Sequence, residues 1–203
     1  MNQFSFNVNL SGIIQILSRN LYSSPNVYLR ELLQNSVDAI KAREFYDSSF
    51  QPYISLEIFN AEPLIFKDGQ MFVNTETTTL VIEDNGIGLT ESELHDYLST
   101  IGRSSKGSAE SPFSDQLLGQ FGIGFLSAFI VADEVLVYTK SAKPNAKALE
   151  WRGTVHGQYT LKEMDQDLSI GTKVYLKAKI DMTEFLQAEN VKKMSVTYGD
   201  FLP

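Results

Sequence analysis

The stretch RELLQNSVDA, from Arg30 to Ala39, is the starting point for interpreting this chain. It places a carboxylate, an amide and a second carboxylate at Glu31, Asn35 and Asp38, in steps of four and then three residues. In an α-helix these three side chains lie within about 60° of one another, because each residue turns the helix by roughly 100°. The opposite side carries mainly apolar residues. The stretch therefore predicts a helix with one buried face and one oxygen-rich polar face.

The polar face has two interpretations. Taken alone it is most simply the solvated face of an amphipathic helix. Its composition favours a second interpretation, because the basic residues Arg30 and Lys41 fall to one side of the stripe formed by positions 31, 35, 38 and 42. Carboxylate and amide oxygens suit a hard divalent cation such as Mg²⁺, which prefers oxygen ligands and keeps several waters. We therefore treat this face as the candidate floor of a site with a general base and a metal ligand.

Composition excludes several classes of protein. The 203 residues include no cysteine, are 43% hydrophobic and 21% charged, and carry a formal net charge of −8. Such a chain can bury a core, and it cannot use disulfides or cysteine-ligated zinc, which fits a reducing, cytoplasmic compartment. No apolar run approaches the roughly 20 residues of a membrane span. The acidic charge without a segregated basic patch argues against nucleic acid as a partner.

Turn and capping signals predict one mixed α+β domain over residues 1–203, which we expect to be a piece of a longer protein. Ser24-Pro25 opens a helix running to about Phe45, and Thr90 with Glu93 forms a capping box for a helix over 91–99. Asp68-Gly69 is a hairpin turn signal. Strands are predicted at 4–10, 53–59, 79–84, 134–140, 148–153, 157–162 and 172–180, the last four as a mostly antiparallel meander, with further helices at 10–20 and within 183–199.

Two glycine-rich segments add candidate binding chemistry. In EDNGIGLT, Asp84 ends a strand and is followed by Gly86 and Gly88, where a ligand can approach the backbone and the carboxylate can accept from an exocyclic amine. In GQFGIGF, Gly119–Phe125, exposed N–H groups at a helix start can bind phosphate. The spacing matches neither the P-loop nor the Rossmann fingerprint. Each segment alone is equally compatible with an ordinary turn or a close-packed helix entry.

The polar helix at 30–39, the strand-end segment EDNGIGLT and the glycine-rich helix start GQFGIGF occur in this order along the chain. Together they resemble the GHKL ATP-binding superfamily, which includes Hsp90 chaperones, type II topoisomerase ATPase subunits, MutL repair proteins and histidine kinases. Within this superfamily the amino-acid sequence resembles the N-terminal ATPase domain of Hsp90 over nearly the whole chain. The resemblance implies a two-layer α/β sandwich, the Bergerat or GHKL fold, in which helices cover one face of a mixed, mostly antiparallel sheet. The matching segments are FSFNVNLSGIIQILSRNLYSSPNVYLRELLQNSVDAI, LVIEDNGIGLT, LSTIGRSSK, LLGQFGIGFLSAFIVADEVLV, LEWRG and GTKVYL.

The same resemblance implies a role for each site residue. Glu31 would be the general base that activates the attacking water, Asn35 would ligate Mg²⁺, and Asp38 would lie near the nucleotide on the same helix. Asp84 would accept from the adenine amine. The loop at 102–118 would be the lid that closes over ATP. The other implied nucleotide contacts are Gly88 and Thr172 at the adenine and Gly119, Gly122, Ile123, Gly124 and Phe125 around the phosphates.

The implied function is that of an ATP-dependent molecular chaperone domain. It would bind Mg²⁺ with ATP or ADP, hydrolyse ATP slowly, and use lid closure to drive the folding of client proteins as part of a homodimer in the stress response. Tyr97, Arg103 and the short segment between Arg103 and Gly119 depart from the usual Hsp90 pattern, which indicates a divergent, bacterial member. Two alternatives stay open: a DNA-acting ATPase of the topoisomerase or mismatch-repair kind, and a non-catalytic nucleotide-binding domain.

Overall fold

The computed structural model describes residues 24–47, 49–59, 65–67, 70–72, 78–98 and 124–199, together with Gly12. Several predictions concern residues outside this part of the chain. They are the strand at 4–10, nearly all of the helix at 10–20, the turn residues Asp68 and Gly69, the loop at 102–118, and the site residues Gly119, Gly122 and Ile123.

The long predicted helix is helix α1, Val27–Tyr46, with 20 residues. The Ser24 hydroxyl accepts a hydrogen bond from the Asn26 N–H at 3.2 Å, but the predicted N-cap at Ser24 is wrong by two residues, because regular helix begins at Val27 with Asn26 as its N-cap. One face is buried and carries the apolar side chains expected of it. Its buried residues are Val27, Tyr28, Leu29, Leu32, Leu33, Ser36 and Ala42.

All six strands predicted between residues 53 and 180 are present, with ends within two residues of the predicted ones. In chain order the described strands are β1 (Ile54–Phe59), β2 (Ile65–Lys67), β3 (Gln70–Phe72), β4 (Thr79–Asp84), β5 (Ala132–Lys140), β6 (Ala148–Thr154), β7 (Tyr159–Glu163) and β8 (Gly171–Ala178). The six predicted strands form one sheet in the order β1-β4-β8-β5-β6-β7, and every neighbouring pair is antiparallel. A separate hairpin, β2 with β3, flanks the predicted Asp68-Gly69 turn.

The position of β8 corrects the predicted meander. Strands β5, β6 and β7 are consecutive neighbours, but β8 crosses back over the sheet and inserts between β4 and β5. The crossing brings Thr172, near the start of β8, opposite Asp84 at the end of β4. Two site residues separated by 88 positions of sequence, from 84 to 172, therefore become neighbours through the sheet.

The remaining helices are short. Helix α2, Glu91–Leu98, has the predicted capping box: the Thr90 N–H donates to Glu93 Oε2 at 2.8 Å, and the Glu93 N–H donates to Thr90 Oγ1 at 3.4 Å. The glycine-rich segment leads into a 3₁₀ turn, Phe125–Ser127, and helix α3, Ala128–Val131. After the sheet come a second 3₁₀ segment, Ile180–Leu186, and helix α4, Ala188–Gly199.

The core lies between the sheet and the helices, which gives the predicted two-layer α+β architecture. Leu80 and Ile82 of β4 point into this core with Leu29 and Leu32 of α1, whereas Val81 points to the opposite face of the sheet. Asp84 shares the parity of Leu80 and Ile82, so its side chain lies on the helix side of the sheet. Among the described residues, no helix combines the length and hydropathy that a membrane span requires.

Candidate active site

Asp84 is the last residue of β4, and its carboxyl group is buried beneath α1, with 6% of the residue exposed. One oxygen accepts the Gly86 N–H at 2.9 Å, and the Ser36 hydroxyl and the Thr172 N–H also hydrogen-bond to the group. Burial nevertheless raises the pKa of Asp84 to about 7, because desolvation of the charge outweighs these three donors. A carboxyl group in this state fits a neutral N–H donor such as an exocyclic amine.

Two glycines keep the backbone close around Asp84. Gly88 has a φ of 65°, and a β-carbon there would lie 2.0 Å from the Lys140 carbonyl oxygen. Gly171 has a φ of 139°, and a β-carbon there would lie 2.1 Å from the Asp84 carbonyl oxygen. Both positions need glycine for conformation and for space. The backbone at Gly88 therefore packs against the end of β5, and the backbone at Gly171 packs against the end of β4.

Thr139 completes this end of the candidate site, although no motif in the sequence singles it out. Its hydroxyl lies 2.9 Å from the Gly171 carbonyl oxygen and 3.1 Å from the Thr172 hydroxyl, and it accepts the Leu89 N–H at 2.9 Å. The side chain is buried at 1% exposure. The only signal in the sequence was a threonine within a hydrophobic strand, and its partners become apparent only through the pairing of β5 with β8.

Glu31, Asn35 and Asp38 share one partly buried face of α1, as the spacing predicts. Glu31 lies at the end of this face that meets the glycine-rich segment: a β-carbon on Gly124 would come within 2.7 Å of Glu31 Oε2. Asp38 lies about 10 Å farther along the helix axis, toward the turn of Ser36 that reaches Asp84. The helix thus connects the carboxyl pocket of Asp84 to the glycine-rich segment.

The interpretation of the stripe as free of basic neighbours is wrong at Glu31. Arg30 turns toward its neighbour, and its Nη2 and Nε atoms donate to Glu31 Oε1 at 2.7 and 3.2 Å. The misjudgement arose because helical spacing fixes the direction of the Cα–Cβ bond but not the rotamer of a long arginine side chain. The pair occupies Oε1, while Oε2 faces Gly124.

The rest of the stripe is polar without being a preformed metal cage. Gln34 donates to Asp38 Oδ1 at 2.9 Å, and burial raises the pKa of Asp38 against the opposing effects of Gln34 and Lys41. Within the described residues, no three histidine, cysteine, aspartate or glutamate side chains cluster as metal ligands. The donor set, one amide oxygen of Asn35 on a partly buried face, suits Mg²⁺ only if a phosphate supplies further oxygens.

The glycine-rich segment is described from Gly124 onward. The Gly124 carbonyl oxygen accepts from the Ser127 N–H at 3.0 Å and from its hydroxyl at 2.6 Å, which closes the first turn of the helix entry. Phe125 packs edge-to-face on Trp151 and Phe129, with ring centroids 5.6 and 6.5 Å apart. Any contact of Phe125 with a ligand would therefore come from its backbone.

Comparison with known protein families assigns the chain to a family. Residues 22–174 match the sequence profile of the histidine kinase-, DNA gyrase B-, and HSP90-like ATPase family, and the chain belongs to this family.

Within this family, the chain is similar to bacterial chaperone proteins named HtpG. The chain is 32% identical over 209 residues to the chaperone protein HtpG of Chlorobium chlorochromatii (strain CaD3), covering 100% of this chain and 32% of the relative. It is 35% identical over 205 residues to HtpG of Coxiella burnetii (strain RSA 331 / Henzerling II), covering 98% and 31%. It is also 35% identical over 209 residues to HtpG of Bdellovibrio bacteriovorus (strain ATCC 15356 / DSM 50701 / NCIMB 9529 / HD100), and this match covers 98% of this chain and 32% of the relative.

These relatives confirm the resemblance to bacterial Hsp90 chaperones within the GHKL superfamily. The chain spans about a third of the length of the curated relatives it matches.

Proposed function

We propose that this chain is the nucleotide-binding domain of an ATP-dependent chaperone, and that it binds Mg²⁺ with ATP or ADP and hydrolyses ATP. The observation that carries the proposal is the placement of Asp84 and Glu31 at opposite ends of one polar helix face, each beside a glycine-bearing segment. The family match and the whole-chain similarity to HtpG chaperones support it. The similarity to HtpG and the net charge of −8 favour a chaperone over a DNA-acting member of the family.

Recognition of adenine would rest on the Asp84 pocket. The buried carboxyl group accepts the exocyclic amine, and the hydroxyls of Thr172 and Thr139, 3.1 Å apart, supply further polar contacts directly or through water. Gly88 lets the backbone approach the base. Because the Asp84 carboxyl group is buried, a ligand without the amine would leave it without that hydrogen bond, which disfavours such ligands.

Hydrolysis would rest on Glu31 and the glycine-rich segment. Glu31 orients the attacking water and accepts its proton, and the ion pair with Arg30 limits how its carboxylate can turn. Gly119, Gly122, Ile123 and Gly124 donate backbone N–H groups to the phosphates, as the sequence resemblance implies. Bound Mg²⁺, held by Asn35 and phosphate oxygens, would neutralise charge on the phosphates. Asp38 would contact the nucleotide between these two ends.

The wider roles follow from the likeness to HtpG and are part of the same proposal. We propose that residues 102–118 close over bound nucleotide, that the complete protein is a homodimer, and that it assists unfolded client proteins in the cytoplasm during stress. We also propose that hydrolysis by the isolated chain is slow, because in the Hsp90 family a basic residue from the following domain contacts the terminal phosphate.

The test is the Glu31→Ala variant, with Glu44→Ala as the matched control, since Glu44 is exposed on the same helix. Loss of the base should lower single-turnover ATP hydrolysis by at least about 100-fold and leave ADP affinity within about threefold of the unaltered chain. Glu44→Ala should change neither quantity. Hydrolysis by Glu31→Ala at the unaltered rate would overturn the assignment of the base.

A further inference from the structure

A cavity of about 530 Å³ lies on the face of the sheet turned away from the helices. Its floor contains Val81 and Leu136, which are 2% and 1% exposed but do not belong to the core between the sheet and the helices. Met164, Leu168 and Ile170, from the segment between β7 and β8, line its other side. The volume lies within the roughly 300–1,000 Å³ range of small-molecule sites.

The strand pairing explains why apolar and aromatic side chains collect there. Glu57, Val81, Tyr175 and Leu136 are register partners across four adjacent strands, so their side chains project from the same face in one row. The rings of Tyr175 and Tyr138 meet edge-to-face with centroids 5.6 Å apart. The cavity thus has an apolar floor and two tyrosine rings in its wall.

The charged side chains that line the cavity on this face are two glutamates and one lysine. Glu83 is already satisfied, because Lys173 Nζ lies 2.7 Å from Oε2 and the Tyr53 hydroxyl donates to Oε1 at 3.1 Å. Glu57 is exposed and lines the cavity, and its charge acts on Lys173, although within the described segments the ion pair of Lys173 is with Glu83. Lys173 is the only basic residue among the described lining residues. On this face the lining therefore carries two carboxylates, those of Glu57 and Glu83, against the single ammonium group of Lys173, beside aromatic walls.

We propose that this outer-face cavity binds a small organic cation with an apolar body, such as an arylalkyl ammonium compound. The apolar body packs on Val81 and Leu136, and the ammonium group lies between Glu57 and the tyrosine rings, where a carboxylate and an aromatic face both attract positive charge. An anionic analogue is disfavoured because Glu57 would repel it, and Lys173 is engaged with Glu83. The site does not depend on the proposed nucleotide-binding function.

The test uses three probes of similar size: 2-phenylethylamine, which is a cation at neutral pH, neutral 2-phenylethanol and anionic phenylacetate. We expect saturable binding of 2-phenylethylamine, measured by NMR titration of the 203-residue chain, with intermolecular NOEs to the rings of Tyr138 and Tyr175. Both other probes should bind at least about tenfold more weakly. Equal or tighter binding of either analogue, absent NOEs to these rings, or no saturable binding of 2-phenylethylamine would overturn the proposal.

Two controls separate this site from the candidate nucleotide site. Glu57→Gln changes an exposed side chain and should weaken 2-phenylethylamine binding about tenfold, whereas Glu44→Gln, on α1 across the sheet, should leave it unchanged. Asp84, Thr139 and Thr172 line both sites, but their side chains point to the helix side of the sheet, opposite Val81 and Leu136. Binding should therefore persist in the presence of saturating ADP and Mg²⁺. Displacement of the probe by ADP, or an unaltered affinity in Glu57→Gln, would contradict the assignment.

Discussion

Glu31 and Gly124 pack so closely that a β-carbon on Gly124 would lie 2.7 Å from Glu31 Oε2. The contact joins the polar face of α1 to the end of the glycine-rich segment, and it leaves no room for a side chain between the candidate base and the backbone at Gly124. The position of the Glu31 carboxylate is therefore sensitive to a single added methyl group.

We predict that Gly124→Ala displaces the Glu31 carboxylate and lowers the rate of single-turnover ATP hydrolysis at least about tenfold, with a smaller effect on ADP affinity. A misplaced catalytic group costs rate because the reacting atoms no longer meet in a productive geometry. In the Glu31→Ala background, Gly124→Ala should cause little further loss of rate, since the group it displaces is already absent. Fully additive losses in the double variant would show that Gly124 acts independently of Glu31.

The pKa of Asp84 predicts how the stability of the ligand-free chain depends on pH. The folded-state pKa of about 7 lies above the ordinary value of 3.8, so the folded chain holds this proton more tightly than the unfolded chain does. The contribution of Asp84 to stability is therefore greatest below about pH 4 and is lost as the pH rises to about 7. Urea unfolding from pH 4.5 to 7.5 should show this decline, and Asp84→Asn should show a flatter profile.

The same pKa predicts the pH dependence of ADP binding. Recognition of the amine uses the ionised carboxylate as acceptor, so ADP affinity should fall as the pH drops below about 7, by at most about tenfold per pH unit. Calorimetry in buffers of different ionisation enthalpy should detect proton release on binding near pH 6.5. Binding at pH 5.5 and 7.5 with equal affinity and no proton release would exclude this role of Asp84.

Thr139→Val should destabilise the adenine end of the site. The change leaves the Leu89 N–H without its buried acceptor and removes the contact with the Gly171 carbonyl oxygen, which we expect to cost about 1–3 kcal/mol in the free energy of unfolding. ADP affinity should fall as well, because Thr172 loses its hydroxyl neighbour. The matched control is Thr160→Val, an exposed threonine on β7, which should change neither quantity measurably.

Local signals predicted the elements of this fold well. The capping box of Thr90 and Glu93 depends on residues three positions apart, so the sequence contains all the information needed. The insertion of β8 between β4 and β5 was mispredicted because strand order depends on long-range pairing that leaves no local pattern. For the same reason Thr139 was missed, since its partners Thr172 and Leu89 are distant in sequence.

In the candidate site, too, the sequence predicted what local spacing determines and did not predict what depends on side-chain conformation. Glu31, Asn35 and Asp38 share a face because helical periodicity alone places them there. The strand-end turn EDNGIGLT indicated Asp84 as an acceptor, and the resemblance to the ATPase family implied its partner adenine and the part of Thr172, which periodicity could not. The contact of Arg30 with Glu31 was not predictable, because a flexible side chain of this length reaches many neighbouring positions.

The central claim is that the polar face of α1 and the Asp84 pocket together hold an adenine nucleotide. The most direct measurement is calorimetric titration of ADP, and of inosine diphosphate, which lacks the exocyclic amine, into the unaltered chain and into Asp84→Asn, each with Mg²⁺. We expect ADP to bind the unaltered chain at least about 100-fold more tightly than inosine diphosphate, and Asp84→Asn to lose ADP binding. Equal affinity of the unaltered chain for the two nucleotides, with ADP binding intact in Asp84→Asn, would contradict it.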